Sequence, residues 1–211
     1  MKHLLLLILC ISIFPSVRAQ DMAAFFIKMP DEYIPQFEDA WRKDLVELYR
    51  AGKPATLENT MNGRSTLLKL TQDYILLQTT EHSTLEMKFL PLVNQTYIVC
   101  MVTTVSAPVA DSRVAFYTTD WKPLDAPELW KRSKDKWYIR SDADRQDEAF
   151  REALSHLDMD LIHYRLSADN PTLSAEYVTP QYLSADEREK IMPFLTDSPK
   201  IYQWKAGRFE E

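Results

Sequence analysis

Glycine is scarce in this 211-residue chain, with three residues at positions 52, 63 and 207. No glycine-rich loop therefore exists to bring backbone N–H groups onto a phosphate. Cysteine is scarcer still, with Cys10 and Cys100 alone. Cys10 lies in an N-terminal apolar run that processing removes, so only Cys100 survives. No intramolecular disulfide can then form, and the core must hold the fold unaided. Basic charge is also short, 25 Lys and Arg against 31 Asp and Glu, for a net −6. Removing residues 1–19 takes Lys2 and Arg18 but no acid, which moves the net charge to −8. Such a chain has no electrostatic case for nucleic acid or anionic lipid. Beyond the N-terminus no apolar run is long enough to cross a bilayer.

What is present begins with an address. Met1-Lys2-His3 is a short positive start, residues 4–14 are apolar, and Val17-Arg18-Ala19 places small residues for signal peptidase. This is a secretory signal peptide, with cleavage expected between Ala19 and Gln20. Lipidation at Cys10 is not expected, because Leu9 precedes it and the cysteine sits inside the apolar run. The mature chain is expected to be soluble, in the periplasm or at the cell surface.

The chain is organised around residues 97–124. Two β-rich runs flank a loop containing Pro108 and Asp111, which reads as a hairpin. The first run is apolar on both alternating sets: Tyr97, Val99, Met101 and Val105, then Ile98, Cys100 and Val102. A strand apolar on both faces is covered on both faces, near the middle of a sheet. Upstream, Met22, Phe25, Phe26 and Met29 have helical spacing, and Pro30 stops them. A second helix from Pro35 carries the stripe Phe37, Trp41, Leu45 and Leu48, with Glu38, Arg42, Lys43 and Glu47 facing water. Gly52 caps it.

Residues 55–92 change to period two. Asn62-Gly63 marks a hairpin, and Leu85, Met87 and Phe89 alternate with Glu86 and Lys88, implying one buried and one wet face. Downstream, Ser141 and Asp144 open a helix with Phe150, Leu154 and Leu157 on its buried stripe. Asp125 with Glu128, and Ser184 with Glu187, have capping-box spacing, and residues 201–204 suggest a last strand. These signals predict one α+β domain over residues 20–211, mostly antiparallel sheet built from hairpins and a meander with several packed helices. Residues 97–130 and 159–195 share a hairpin-plus-helix plan, consistent with duplication.

The run from Ser106 to Leu124, with Tyr74-Ile-Leu-Leu-Gln and Ser83-Thr-Leu-Glu-Met-Lys-Phe-Leu-Pro-Leu, resembles an uncharacterised domain-of-unknown-function family of exported Bacteroidales proteins. Asp111-Ser-Arg and Asp120-Trp are its most specific parts. The resemblance implies an extracytoplasmic bacterial protein and brings no catalytic residues.

Chemistry must then come from the residues. His156, Asp158, Asp160 and His163 are near in sequence, but they straddle a helix end and a strand start, so convergence on a metal is not expected. Glu81-His82-Ser83 offers base and nucleophile, yet neighbours in a hairpin turn point apart. Cys100 in an apolar strand reads as a packing group. Lys131 to Arg140, interleaved with Trp137 and Tyr138, reads as a solvated loop with anchored aromatics. No residue is assigned a catalytic, cofactor-binding or metal-binding role, and no cofactor is implied.

The expected function is a non-catalytic binding or interaction module with a protein or small-ligand partner outside the cytoplasm. The alternative is a hydrolase or metal-dependent enzyme whose site forms only in three dimensions. The candidate interaction surface comprises Pro108, Val109, Asp111 and Arg113, with Asp120 and Trp121 at the hairpin's other end.

Overall fold

Two antiparallel sheets lie face to face, and helices cover the outer face of the larger one. The computed structural model describes residues 21–125, 127–130 and 136–211. The expected signal peptide and residues 131–135 of the basic aromatic stretch lie outside them. The larger sheet takes seven strands in chain order: β1 (Thr56–Glu58), β2 (Arg64–Leu70), β3 (Tyr74–Thr80), β4 (Ser83–Pro91), β5 (Tyr97–Ser106), β6 (Ala110–Thr118) and β7 (Pro123–Leu124). The smaller sheet contains β8 (Ile162–Leu166), β9 (Thr172–Tyr177), β10 (Lys200–Lys205) and β11 (Arg208–Glu210), in the order β11-β10-β9-β8. The helices are α1 (Met22–Ile27), α2 (Asp39–Arg50), α3 (Glu148–Ser155) and α4 (Ala185–Ile191). This is the α+β, mainly antiparallel architecture that the alternation predicts.

Strand β5 sits between β4 and β6 and is covered twice, as its apolar pattern requires. Val99 and Met101 face α1 and α2 in a cluster with Phe25, Phe26, Leu45 and Ile75. Ile98, Cys100 and Val102 face the smaller sheet, against Tyr164, Leu166, Leu173 and Tyr202. A third cluster, built on Tyr138, Ala153, Ile191 and Leu195, joins α3 and α4. The result is three layers, helices on sheet on sheet.

Local chemistry sets the turns. The β1–β2 loop is held by Asn59, whose Oδ1 accepts from the N–H groups of Met61 and Gly63 at 3.0 Å each. Asn62 there has φ of +59°, a left-handed conformation that asparagine tolerates. Helix α2 ends in a Schellman motif, with Gly52 N–H bonded to Tyr49 O and Lys53 N–H to Leu48 O. Gly52 has φ of +65°, so the sequence needs glycine at that point.

The structure departs from the sequence reading in specific places. Helix α2 starts at Asp39, and Phe37 is buried ahead of it rather than inside it. Trp41 is only partly buried. Arg42, expected to face water, is 2% exposed. The chain between α1 and α2 wraps over Arg42, and its guanidinium satisfies that irregular backbone. It donates from Nε to Ile27 O at 3.2 Å and from Nη1 to Phe37 O at 2.8 Å and Asp31 Oδ1 at 2.9 Å.

Helix α3 starts at Glu148, capped by Asp147 rather than by Ser141 or Asp144. The Ser184–Glu187 capping box forms as expected. At the matching place after the first hairpin, residues 127–129 form a turn, so Asp125 and Glu128 open no helix there. Strand β11 was not foreseen; it returns from β10 through a turn in which Gly207 has φ of +86°.

Replacing Arg42 by Ala strands the buried Phe37 carbonyl and the half-buried Ile27 carbonyl, and unfolding in urea should show a loss of about 3 kcal/mol. Arg50→Ala removes an exposed 2.9 Å pair with Asp21 and should cost less than about 1 kcal/mol. Equal losses for the two variants would refute the backbone-bridging role of Arg42.

Candidate functional site

The sequence reading gave Glu86 and Lys88 a wet face, and the structure overturns it. Glu86 is 5% exposed and Lys88 2% exposed. Both project from the face of β4 that the smaller sheet covers, a layer that alternation within β4 cannot reveal. Each is bound into the junction between the sheets. Glu86 Oε2 accepts from the Tyr74 hydroxyl at 3.0 Å and from the Leu166 N–H at 2.9 Å. Lys88 Nζ donates to Ala168 O and meets Asp73 Oδ2, each at 2.8 Å.

These contacts close an exposed edge. Among the described residues β8 pairs only with β9, so its N–H groups at Tyr164 and Leu166 point away from its partner. Leu166 N–H goes to Glu86, and Tyr164 N–H goes to Ser112 Oγ on β6 at 3.1 Å. At another point on the junction Trp204 Nε1 donates to Pro91 O at 2.7 Å. Burial pushes the Glu86 carboxyl above its ordinary value, while the bonds from Leu166 and Tyr74 pull the other way. The Tyr74 hydroxyl is pushed up by burial and by the adjacent Glu86. Cys100, fully buried, has its thiol pushed up by burial first and by Glu86 second. That keeps it protonated and inert, as expected of a packing thiol.

At one end of this junction lies an open groove of about 430 Å³, lined by residues including Gln72, Asp73, Lys88, Phe89, Tyr97, Asp169 and Asn170. It is formed where the turns between β2 and β3 and between β8 and β9 meet the end of β4 and the start of β5. Lys88 and Phe89 are its most buried walls, and Tyr97 is 38% exposed. Within the groove Lys88 pairs with Asp73 at 2.8 Å, and Asp169 meets Lys69, which lies outside the lining, at 4.0 Å. The groove combines donors, acceptors and aromatic surface, as small-molecule sites do. Sequence reasoning missed it because its residues come from two turns and two strand ends far apart in the chain. The available signal was a Glu and a Lys on a strand lying next to the doubly apolar β5.

The residues singled out from sequence are distributed differently. Pro108 and Val109 belong to the β5–β6 turn, with Pro108 exposed and Val109 turned inward at 9% exposure. Asp111 and Arg113 lie within β6 rather than in the loop, both exposed. Asp111 accepts from its neighbour Ser112 N–H. Asp120 and Trp121 occupy the opposite end of β6. Trp121, with φ of +62°, is 8% exposed and stacks on Phe25 at 4.1 Å, so it completes the helix-side core.

The histidines and acids of residues 156–163 are drawn to different partners. His156 Nδ1 meets Glu187 at 3.2 Å, and Asp160 accepts from the Tyr138 hydroxyl at 2.7 Å. His163 lies on β8, where burial and then Arg165 lower its pKa. In the turn at 81–82, His82 contributes its backbone carbonyl to Ser106 N–H. Trp130 and Tyr138 are buried and Trp137 partly so, the anchored aromatics expected of that stretch.

The folded protein holds the Glu86 proton more tightly than the unfolded chain does. Its contribution to stability is therefore complete below the ordinary carboxyl value of 4.5 and is lost as pH rises through the raised value. Glu86→Gln keeps an acceptor for both donors and should flatten that part of the stability–pH curve. Glu86→Leu orphans the Leu166 N–H and should cost about 1–3 kcal/mol, with the largest loss below the ordinary carboxyl value. Parallel curves for wild type and Glu86→Gln would contradict the burial effect.

The family model described as protein of unknown function (DUF3256) matches residues 14–209. A domain of an uncharacterized protein from Porphyromonas gingivalis W83 is similar in structure, with a TM-score of 0.80 and 32% sequence identity. That match covers 90% of this chain and 98% of the other. No curated protein matches. The resemblance read from residues 74–78, 83–92 and 106–124 thus extends over nearly the whole chain, and the protein belongs to the DUF3256 family of unknown function.

Proposed function

We propose that the protein is an exported, non-catalytic binding or interaction module, acting in the periplasm or at the cell surface through the groove beside Lys88. The groove itself carries this reading: the β2–β3 and β8–β9 turns and the adjoining ends of β4 and β5 bring amide, carboxylate and aromatic residues of two sheets around one opening. The use of the buried ionisable groups favours binding over catalysis. Glu86, Lys88 and Arg42 each bond to main-chain atoms that the fold leaves unpaired, an architectural role. Export is supported by the positive start, apolar run and small residues of the first 19 positions. No described helix is long and apolar enough to cross a membrane.

A second reading puts a partner at the β5–β6 tip. One observation favours it: Val105 is 47% exposed directly opposite Asp111, beside Arg113 and Pro108.

Expressed with its full N-terminus in a Gram-negative host, the protein recovered from the periplasm should begin at Gln20 by intact mass. A photo-crosslinker placed at Asn170 should capture an envelope component that the same group at Val105 does not. Capture from Val105 alone would favour the tip, and capture from neither would contradict a binding module.

A further inference from the structure

We propose that Asn62 is a site of spontaneous deamidation, and that Asn59 holds this chemistry off while the protein is folded. An asparagine is converted when the main-chain nitrogen of the next residue, having lost its proton to base, attacks the side-chain Cγ. The N–Cγ bond forms, the Cγ–Nδ2 bond breaks and ammonia leaves, so that a five-membered succinimide remains. Water then opens the ring at either carbonyl, which gives aspartate or isoaspartate. A glycine at the next position removes the side chain that would crowd this attack, and Asn62 is followed by Gly63. The other asparagines, Asn59, Asn94 and Asn170, are followed by Thr60, Gln95 and Pro171. Asn62 is exposed in the β1–β2 turn, where base and water reach it. Packing retains the glycine beside it. A Cβ on Gly63 would lie 3.3 Å from Asn59 Nδ2, and that nitrogen is pinned by bonds to Ser65 Oγ at 2.9 Å and Thr79 O at 3.2 Å.

The same Asn59 restrains the nucleophile. Gly63 N–H donates to Asn59 Oδ1 at 3.0 Å, so the proton that has to leave is held by an acceptor. Gly63 O accepts from Asn59 N–H at 2.8 Å, and Asn62 N–H donates to Asn59 O at 3.1 Å. One residue thus fixes the peptide units on both sides of the Asn62–Gly63 link. Asn59 is 5% exposed, so water competes little for its Oδ1. Conversion becomes fast only when this clamp opens, which makes the turn a chemical record of local unfolding. What the clamp guards is a sheet edge. Among the described residues β1 pairs with β2 alone, and this turn joins the two strands. Isoaspartate carries the main chain through the side-chain carbon, which lengthens the turn and displaces the bond from Asn59 N–H to Gly63 O. Either product adds a negative charge to a chain that is already net acidic.

The test is peptide-mapping mass spectrometry of the mature chain aged at mildly alkaline pH, both folded and in guanidinium chloride, with isoaspartate resolved by electron-transfer fragmentation. In denaturant, where the clamp is gone, Asn62 should convert ahead of Asn94 and Asn170. In the folded chain its conversion should be slower by about tenfold or more, the factor that one buried hydrogen bond supplies. Asn59→Ala should return the folded rate at Asn62 towards the denatured one and leave Asn94 unchanged. Native hydrogen exchange of the Gly63 amide follows the same proton in the unmodified sequence, and decides the matter where Asn59→Ala does not fold. That amide should exchange about tenfold or more slowly than in an unstructured peptide. Equal conversion of Asn62 in the folded and denatured chains, or an unprotected Gly63 amide, would overturn the clamp. No preference for Asn62 in denaturant would overturn the site itself.

Discussion

An edge strand buried against another sheet has to find partners for the N–H groups that it cannot pair. Strand β8 meets that constraint by borrowing side chains: Glu86 from β4 and Ser112 from β6 take the outward N–H groups of Leu166 and Tyr164, two of those along its edge. Without those acceptors the smaller sheet would bury unpaired amides, at a cost that apolar packing between the sheets would have to offset. With them, the sheets have one register relative to each other. Everything at the junction follows from that register, including the placement of Lys88 under Ala168 and the meeting of turns and strand ends that form the groove. The same device recurs on the helix side. Arg42 satisfies the backbone between α1 and α2, so irregular chain can be packed against the sheet.

A buried charge is costly unless it is paired and hydrogen-bonded. Here Arg42 and Lys88 are paired with Asp31 and Asp73, Glu86 is held by the Tyr74 hydroxyl and the Leu166 N–H, and in each case at least one bond goes to the main chain. That pattern explains how a protein whose described residues hold one cysteine, buried and unpaired, fixes layers that apolar contacts alone would leave free to slide. Apolar packing supplies the bulk of the stability, and the polar bonds select the arrangement.

The elements that depend on local pattern were legible in the sequence. The double apolar face of β5, the Gly52 cap and the Ser184–Glu187 box all follow from a few neighbouring residues. What was not legible depended on a second layer. Alternation in β4 marks Glu86 and Lys88 as the polar face, and only the smaller sheet, folded from residues 162–210, turns that face inward. Arg42 was misplaced for the same reason, because chain outside the helix wraps over its polar side. The groove escaped because its residues lie at 72–73, 88–97 and 169–171, and no local spacing connects them. Trp121 carried a family-specific pairing with Asp120, yet its ring belongs to the core on Phe25.

Native-state hydrogen exchange of the Tyr164 and Leu166 amides tests the side-chain closure of β8 most directly. If Ser112 and Glu86 hold those N–H groups between the sheets, both should exchange only with global unfolding, as slowly as the amides of central strand β5. Exchange at the rate of a solvent-facing strand edge would contradict the account. The junction would then be held by apolar contact alone, and the groove would lose its fixed floor.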